Sequence, residues 1–258
     1  MRIAALSDIG IVRARNEDAF SIDSERGIVV VADGLGGAQA GEVAAALGAR
    51  IVLEHLTDAV DQGLSDIALA DEVYQALHLA SEEIHQRAGE REDWNGMACS
   101  LIAAVLNLEN CLIGHAGDTR AYLLVDGLLH PMTVDDTPVG ALVKRGYLLP
   151  EKARAHHLKN FLVKSIGSKP TVEANIIHFP VKPGERLLFC SDGLWSMVQE
   201  PKMREILTEE PDPENACRKL VAAANEMGGQ DNITVIVVDI DVVSGTRTAE
   251  MPVPDTEL

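Results

Sequence analysis

Apolar residues fall along this chain in two rhythms. Short unbroken runs at residues 3–8 and 27–32 predict β-strands, the second entered through Ser24-Glu25-Arg26-Gly27 as a turn. From about residue 39 to 62 the rhythm becomes helical. Val43, Ala46, Leu47, Ile51 and Leu53 recur as one face of an amphipathic helix and are expected to point inward. Residues 66–88 predict a second helix with Ser65 as its N-cap; Ile67, Val73, Leu77, Ala80 and Ile84 face the core, and Glu82-Glu83 face water. Strands return at 101–106, 111–116 and 120–125. The turns between them, Asn107 to Asn110 and Gly117-Asp118-Thr119, are short enough to predict antiparallel neighbours. Residues 131–172 are polar, irregular and broken by Pro138, Pro150 and Pro170, the pattern of a functional surface segment. Strands at 174–179 and 186–191, a helical stretch at 193–225 and a strand at 233–240 complete the pattern.

Helices arrive in pairs between runs of antiparallel strands, unlike strict β-α-β alternation. This predicts an α+β layered sandwich, with two sheets face to face and helices outside. At 258 residues and 47% hydrophobic content the chain can bury a full core, and no composition break divides it. One domain over 1–241 is expected. The tail beyond it, 242–258, holds Pro252 and Pro254 without periodicity and is expected to be disordered.

Charge narrows the partners. With 22 basic and 40 acidic residues the net charge is −18, which argues against nucleic acid or an anionic membrane surface. Most of that acidity serves solubility. Cys99, Cys111, Cys190 and Cys217 show no zinc spacing, and three of them stand among apolar residues as small hydrophobes. Asp8 interrupts the first apolar run too early for a signal peptide, and no run approaches the ~18 residues of a membrane span. A cytoplasmic protein is expected.

Four acidic patches then stand out: Asn16-Glu17-Asp18, Asp33-Gly34, Asp192-Gly193 and Asp231-Asn232, each beside a strand-like run. Carboxylates gathered in a fold repel and desolvate one another, so hard cations would be needed to neutralise them. Taken singly, Asp-Gly is a turn dipeptide and Asp231-Asn232 an Asx-turn. A phosphate-binding loop at Gly34-Leu35-Gly36-Gly37 is excluded, because no Gly-Lys-Ser/Thr follows and Asp33 would repel the phosphate. Arg13 precedes the first patch and reads either as a surface ion pair with Glu17 or as a bidentate phosphate clamp. None of the eight histidines has a partner at metal-ligand spacing.

The ordered set Arg13…Asn16-Glu17-Asp18, Asp33-Gly34-Leu35-Gly36-Gly37, Gly117-Asp118-Thr119-Arg120, Ser191-Asp192-Gly193-Leu194-Trp195 and Gly229-Gln230-Asp231-Asn232-Ile233-Thr234 resembles the metal-dependent serine/threonine protein phosphatases, the PPM or type 2C family, in their compact bacterial form. The resemblance spans residues 2 to about 240. It implies a four-layer αββα sandwich and hydrolysis of phosphoserine and phosphothreonine in proteins, with water activated by two Mg2+ or Mn2+ ions. By resemblance Asp33 bridges the ions, the Gly34 carbonyl ligates one, and Asp192 and Asp231 hold the other. Glu17 and Asp18 match the acidic pair that orients waters around the ions, Arg13 the substrate-phosphate arginine, and Asp118 a ligand of a third, weaker ion. The implied partners are phosphorylated proteins that a Ser/Thr kinase produces, met by a monomer. Leu35 replaces the histidine of many eukaryotic members, Thr133-Val134-Asp135-Asp136-Thr137 lacks the usual flap histidine, and Gly96-Met97-Ala98-Cys99-Ser100 departs from Gly-Met-Gly-Thr-Thr. A non-catalytic phosphoprotein-binding module on the same fold, or a hydrolase of small phosphate esters, stays open at this point.

Overall fold

A computed structural model describes residues 1–35, 40–153 and 156–240. Gly36, Gly37 and the expected tail lie outside the described residues. The strands are β1 (Arg2–Asp8), β2 (Asp18–Asp23), β3 (Ile28–Leu35), β4 (Ala98–Leu106), β5 (Asn110–Ala116), β6 (Arg120–Val125), β7 (Leu128–Pro131), β8 (Asn175–Pro180), β9 (Arg186–Cys190) and β10 (Ile233–Asp239). The helices are α1 (Ala40–Asp61), α2 (Asp66–Ala88), α3 (Pro138–Lys144), α4 (Pro150–Ala153), α5 (Asp192–Trp195), α6 (Glu200–Glu209) and α7 (Pro213–Glu226).

Two five-stranded antiparallel sheets form, ordered β1-β10-β9-β6-β7 and β2-β3-β4-β5-β8. Strand alternation splits the apolar runs between two layers. Val29, Val31, Ile102, Ala104 and Ile113 meet Leu187, Phe189, Ile236 and Val238 between the sheets. The opposite faces carry Val30, Ala32, Leu101 and Ala103 under α1 and α2, and Leu188, Val235 and Val237 under α6 and α7. The expected αββα sandwich therefore stands. Its central strands are buried on both faces, which is why they read as continuous apolar runs.

Several expectations change. The buried stripe of α1 is Ala44, Ala45, Leu47, Gly48, Ala49, Val52 and Leu56, while Ala46 is exposed and Val43, Ile51 and Leu53 lie at its margin. Small residues win because the helix lies close on the sheet: a Cβ on Gly48 would meet Leu101 Cδ1 at 3.1 Å. In α2, capped by Ser65 as expected, Ile67 is 81% exposed. It precedes Val73 by six residues, about 240° around the helix, and so leaves the buried face. Strands β2 and β7, short and only partly buried, were not visible in the pattern. The helical stretch at 193–225 divides into three, with Pro201 and Pro213 in the first turns of α6 and α7.

The most consequential change concerns Gly117-Asp118-Thr119. This turn joins β5 to β6, yet the two strands do not pair; β5 lies in one sheet and β6 in the other. The Ser100 hydroxyl of β4 accepts hydrogen bonds from the Asp118 and Thr119 amides, both at 2.8 Å, and Gly117 turns at φ 120. The chain is thereby carried from sheet to sheet at the end where the acidic patches meet.

Candidate active site

Each acidic residue is placed by its strand. Asp18 opens β2 directly opposite Asp33 of β3, and Asp33 faces Ser100 of β4 on its other side. Asp192 begins α5 just after β9, and Asp231 closes the turn before β10, where Gly228 and Gly229 take φ 118 and 47. The strand expected over 27–32, with Asp33 at its end, continues through Gly34 and Leu35.

The two Asp-Gly glycines are needed for close approach. A Cβ on Gly34 would lie 2.3 Å from the Gly41 carbonyl oxygen of α1 and 2.5 Å from that of Glu17. One on Gly193 would lie 1.9 Å from the Asn232 carbonyl oxygen. The glycines thus let the segments carrying Asp33, Glu17, Asp192 and Asp231 touch. Asn232 ties the β1–β2 loop to this contact: its amide donates to the carbonyls of Ile9 at 2.9 Å and Arg15 at 2.8 Å, and its oxygen accepts from the Glu17 amide at 2.8 Å.

The result is a concentration of negative charge. Burial, then Asp18, Asp192, Asp118 and Asp231, push Asp33 well above the usual carboxylate range. Burial followed by Asp231 raises Asp192 to about 6, with relief from a hydrogen bond to Asp33 and from Arg13 and Lys159. Burial raises Asp18 to about 7 despite hydroxyl hydrogen bonds from Ser191 and Thr234. Asp118 rises to about 8 through burial and then Asp192 and Asp135, partly offset by Ser100 and Arg120. Glu17 is raised mainly by burial, and Arg13 lowers it in part. Buried carboxyl groups this closely coupled, as Asp33 and Asp192 are, require a proton or another cation among them.

Arg13 is half exposed and donates to Asp231 Oδ2 at 2.7 Å, not to Glu17. Among the described residues no three His, Cys, Asp or Glu side chains are drawn around one point as a finished ligand set. Asp231 is turned onto Arg13, and Asp18 onto the Ser191 hydroxyl at 2.7 Å.

Other contributors stand inside the quoted motifs, but no role was read for them there. Arg120 forms a two-pronged ion pair with Asp135, at 2.8 and 2.7 Å, with its guanidinium 3.6 Å from the centre of the Trp195 ring. Trp195 donates its indole N–H to the Asp118 carbonyl at 2.9 Å. Asp136 takes the Gly117 amide at 3.2 Å and the Asn175 side chain at 2.9 Å. Asp135 and Asp136 thus anchor the irregular 131–172 segment beside the site, where Lys159 stands half-buried. Thr133 and Thr137 in the same segment are buried, and Thr137 caps α3, so its root belongs to the core. The four cysteines are free and buried. Among the described residues no helix is long and apolar enough to cross a membrane.

Comparison with known proteins identifies the family and the fold. Residues 12–225 match the family described as protein phosphatase 2C. The serine/threonine phosphatase stp of Listeria monocytogenes is 34% identical over 250 residues, covering 94% of this chain and 97% of that protein. Serine/threonine protein phosphatase PstP of Mycobacterium tuberculosis is 35% identical over 240 residues, 93% of this chain and 45% of its own length. The crystal structure of M. tuberculosis PstP superposes with a TM-score of 0.85 at 34% identity, over 93% of this chain and 99% of that one. A PstP catalytic domain solved with two manganese ions gives 0.79 at 33% identity, over 92% and 97% of the two chains. The chain belongs to the protein phosphatase 2C family.

Proposed function

We propose that this chain hydrolyses phosphoserine and phosphothreonine in proteins with the aid of two divalent cations, Mg2+ or Mn2+. Asp33, the Gly34 carbonyl, Asp192 and Asp231 would hold them, and Asp118 would serve a weaker third. The observation that carries this reading is the convergence of Asp18, Asp33, Asp192 and Asp231 from both sheets, close enough that neighbouring carboxylates push both Asp33 and Asp192 up. An oxygen-only donor set of this kind fits hard divalent cations, and no cysteine is exposed to offer a softer ligand.

When bound, the cations supply Lewis acidity that lowers the pKa of water from 15.7 towards ~7. The chain's own residues bind and orient. Arg13 sits exposed at the mouth, and its ion pair with the partly exposed Asp231 is of the weak surface kind, so the guanidinium can move onto a phosphoryl group. Glu17 and Asp18, facing the cluster, hold water through acceptor oxygens. Direct attack by water needs no covalent phosphoenzyme. The cysteine thiols, pushed up by burial, are unsuited to act as nucleophiles.

The irregular segment beside the site would select the substrate. The strong net negative charge and the absence of a membrane-crossing helix among the described residues suit a monomer that meets phosphoproteins in the cytoplasm, opposite a Ser/Thr kinase. The test is Mn2+-dependent phosphate release from phosphothreonine peptides, with Asp33→Asn and Asp192→Asn alongside. Release should cease on chelation and in both variants; release that survives either change sinks the reading.

A further inference from the structure

Asp18 ends a chain of hydrogen bonds that runs through both sheets. Its Oδ2 accepts from the Ser191 hydroxyl at 2.7 Å, and the same hydroxyl oxygen accepts from the Thr234 amide at 2.9 Å. Thr234 lies opposite Ser7 in the β1–β10 pairing, and their hydroxyls are 2.8 Å apart. Ser7 in turn accepts from the Asn16 side-chain amide at 2.8 Å, while the Asn16 carbonyl oxygen accepts the Asp18 amide at 3.2 Å.

Donor and acceptor rules fix the ends of this chain. An ionised carboxylate only accepts and an amide NH2 only donates. Ser191 must therefore donate to Asp18 and Asn16 to Ser7, while Ser7 and Thr234 share a bond that either hydroxyl can donate. Both Ser191 and Thr234 are fully buried, so neither has water as an alternative partner. Such a chain, tied to the Asp18 carboxylate through Ser191 and to the Asp18 amide through Asn16, holds that carboxylate in place.

We propose that Ser191 and Thr234 are positioning residues for the hydrolysis, fixing the Asp18 carboxylate of one sheet against the segments of the other that carry Asp192 and Asp231. The inference rests on the role given to Asp18 above. Neither residue touches substrate or cation; both act through Asp18, and removing such supports costs about tenfold to a hundredfold in activity or metal affinity.

The experiment is a double-mutant cycle on the full chain. Thr234→Val keeps the shape and loses the hydroxyl, whereas Thr234→Ser keeps the hydroxyl. Each is made alone and together with Asp18→Ala, and Ser191→Ala is treated likewise. The readouts are kcat and KM on a phosphothreonine peptide, and Mn2+ affinity by isothermal titration calorimetry. Thr234→Val should lose about tenfold or more, in kcat or in Mn2+ affinity, and Thr234→Ser should restore it to within about threefold. With Asp18→Ala present, Thr234→Val and Ser191→Ala should each cost less than about twofold. Losses that are additive with Asp18→Ala in both readouts, absent from both, or equal in Thr234→Val and Thr234→Ser overturn the proposal. A wild-type chain that binds Mn2+ but releases no phosphate would defeat the functional reading, while the calorimetric cycle would still decide the positioning role.

Discussion

Replacing Asp192 by Asn should make the metal-free protein more stable, and the gain should depend on pH in a particular direction. In the folded chain burial and Asp231 raise the Asp192 carboxyl from 3.8 to about 6. Below about pH 3 the folded and unfolded chains both hold the proton, and no penalty exists. As pH rises the unfolded chain releases its proton first, and above about pH 7 the whole cost is present. Roughly two pKa units at about 1.4 kcal/mol each make that cost about 3 kcal/mol. Asparagine carries no charge, so it escapes that cost. In chelator at pH 8, Asp192→Asn should therefore exceed wild type by about 3 kcal/mol, near 6–12 °C in Tm for a chain of this size. At pH 3 the two should unfold together. With Mn2+ added the order should invert, because only the wild type gains the binding free energy. Urea and thermal unfolding at the two pH values provide the assay. A variant no more stable than wild type at pH 8, or a gain that persists at pH 3, refutes the charge-repulsion reasoning.

Other substitutions test separate parts of the site. Arg13→Ala should raise KM for a phosphopeptide about tenfold, the loss of a charge-assisted hydrogen bond, without weakening Mn2+ in calorimetry; weaker Mn2+ binding would assign Arg13 to the support of Asp231. Gly193→Ala sets a Cβ 1.9 Å from the Asn232 carbonyl and should cost about 1–3 kcal/mol. An unchanged Tm would show that the two acidic segments can separate freely. Asp135→Ala leaves a mostly buried Arg120 without its carboxylate and should cost about 3 kcal/mol in urea unfolding. A loss below about 1 kcal/mol would mean that Trp195 and Tyr122 suffice to hold the guanidinium.

The strands were legible because β3, β4, β9 and β10 are buried on both faces, so their apolar runs are unbroken. The face of α1 was harder. Its contact with the sheet is made by alanine and glycine, which carry little hydropathy, while its larger residues lie at the margin. Turn length between β5 and β6 shows that the strands are near each other but says nothing about which sheet each joins. That is decided through space, by the Ser100 hydroxyl and the φ of Gly117. The aspartates could be found because each stands beside an apolar run. Arg13 could be found as a cation, but its pairing with Asp231, 218 positions away, could not. Ser191 stood inside a recognised motif, yet its hydroxyl has a meaning only once the β1–β10 register sets Ser7 against Thr234.

The crossing of the chain between sheets at Gly117-Asp118-Thr119 has a mechanical consequence. Asp18 and Asp33 belong to one sheet, while Asp192 and Asp231 flank strands of the other. Their separation is therefore gauged by the thickness and shear of the layer where Val31 and Ile102 meet Phe189 and Ile236. A cation held across that seam would act as a rivet between two plates. Slippage of one sheet over the other, caused by a substitution deep in that layer, would reach the chemistry as a change in ligand spacing. In this architecture the fit of the interior and the geometry of the reaction are one variable.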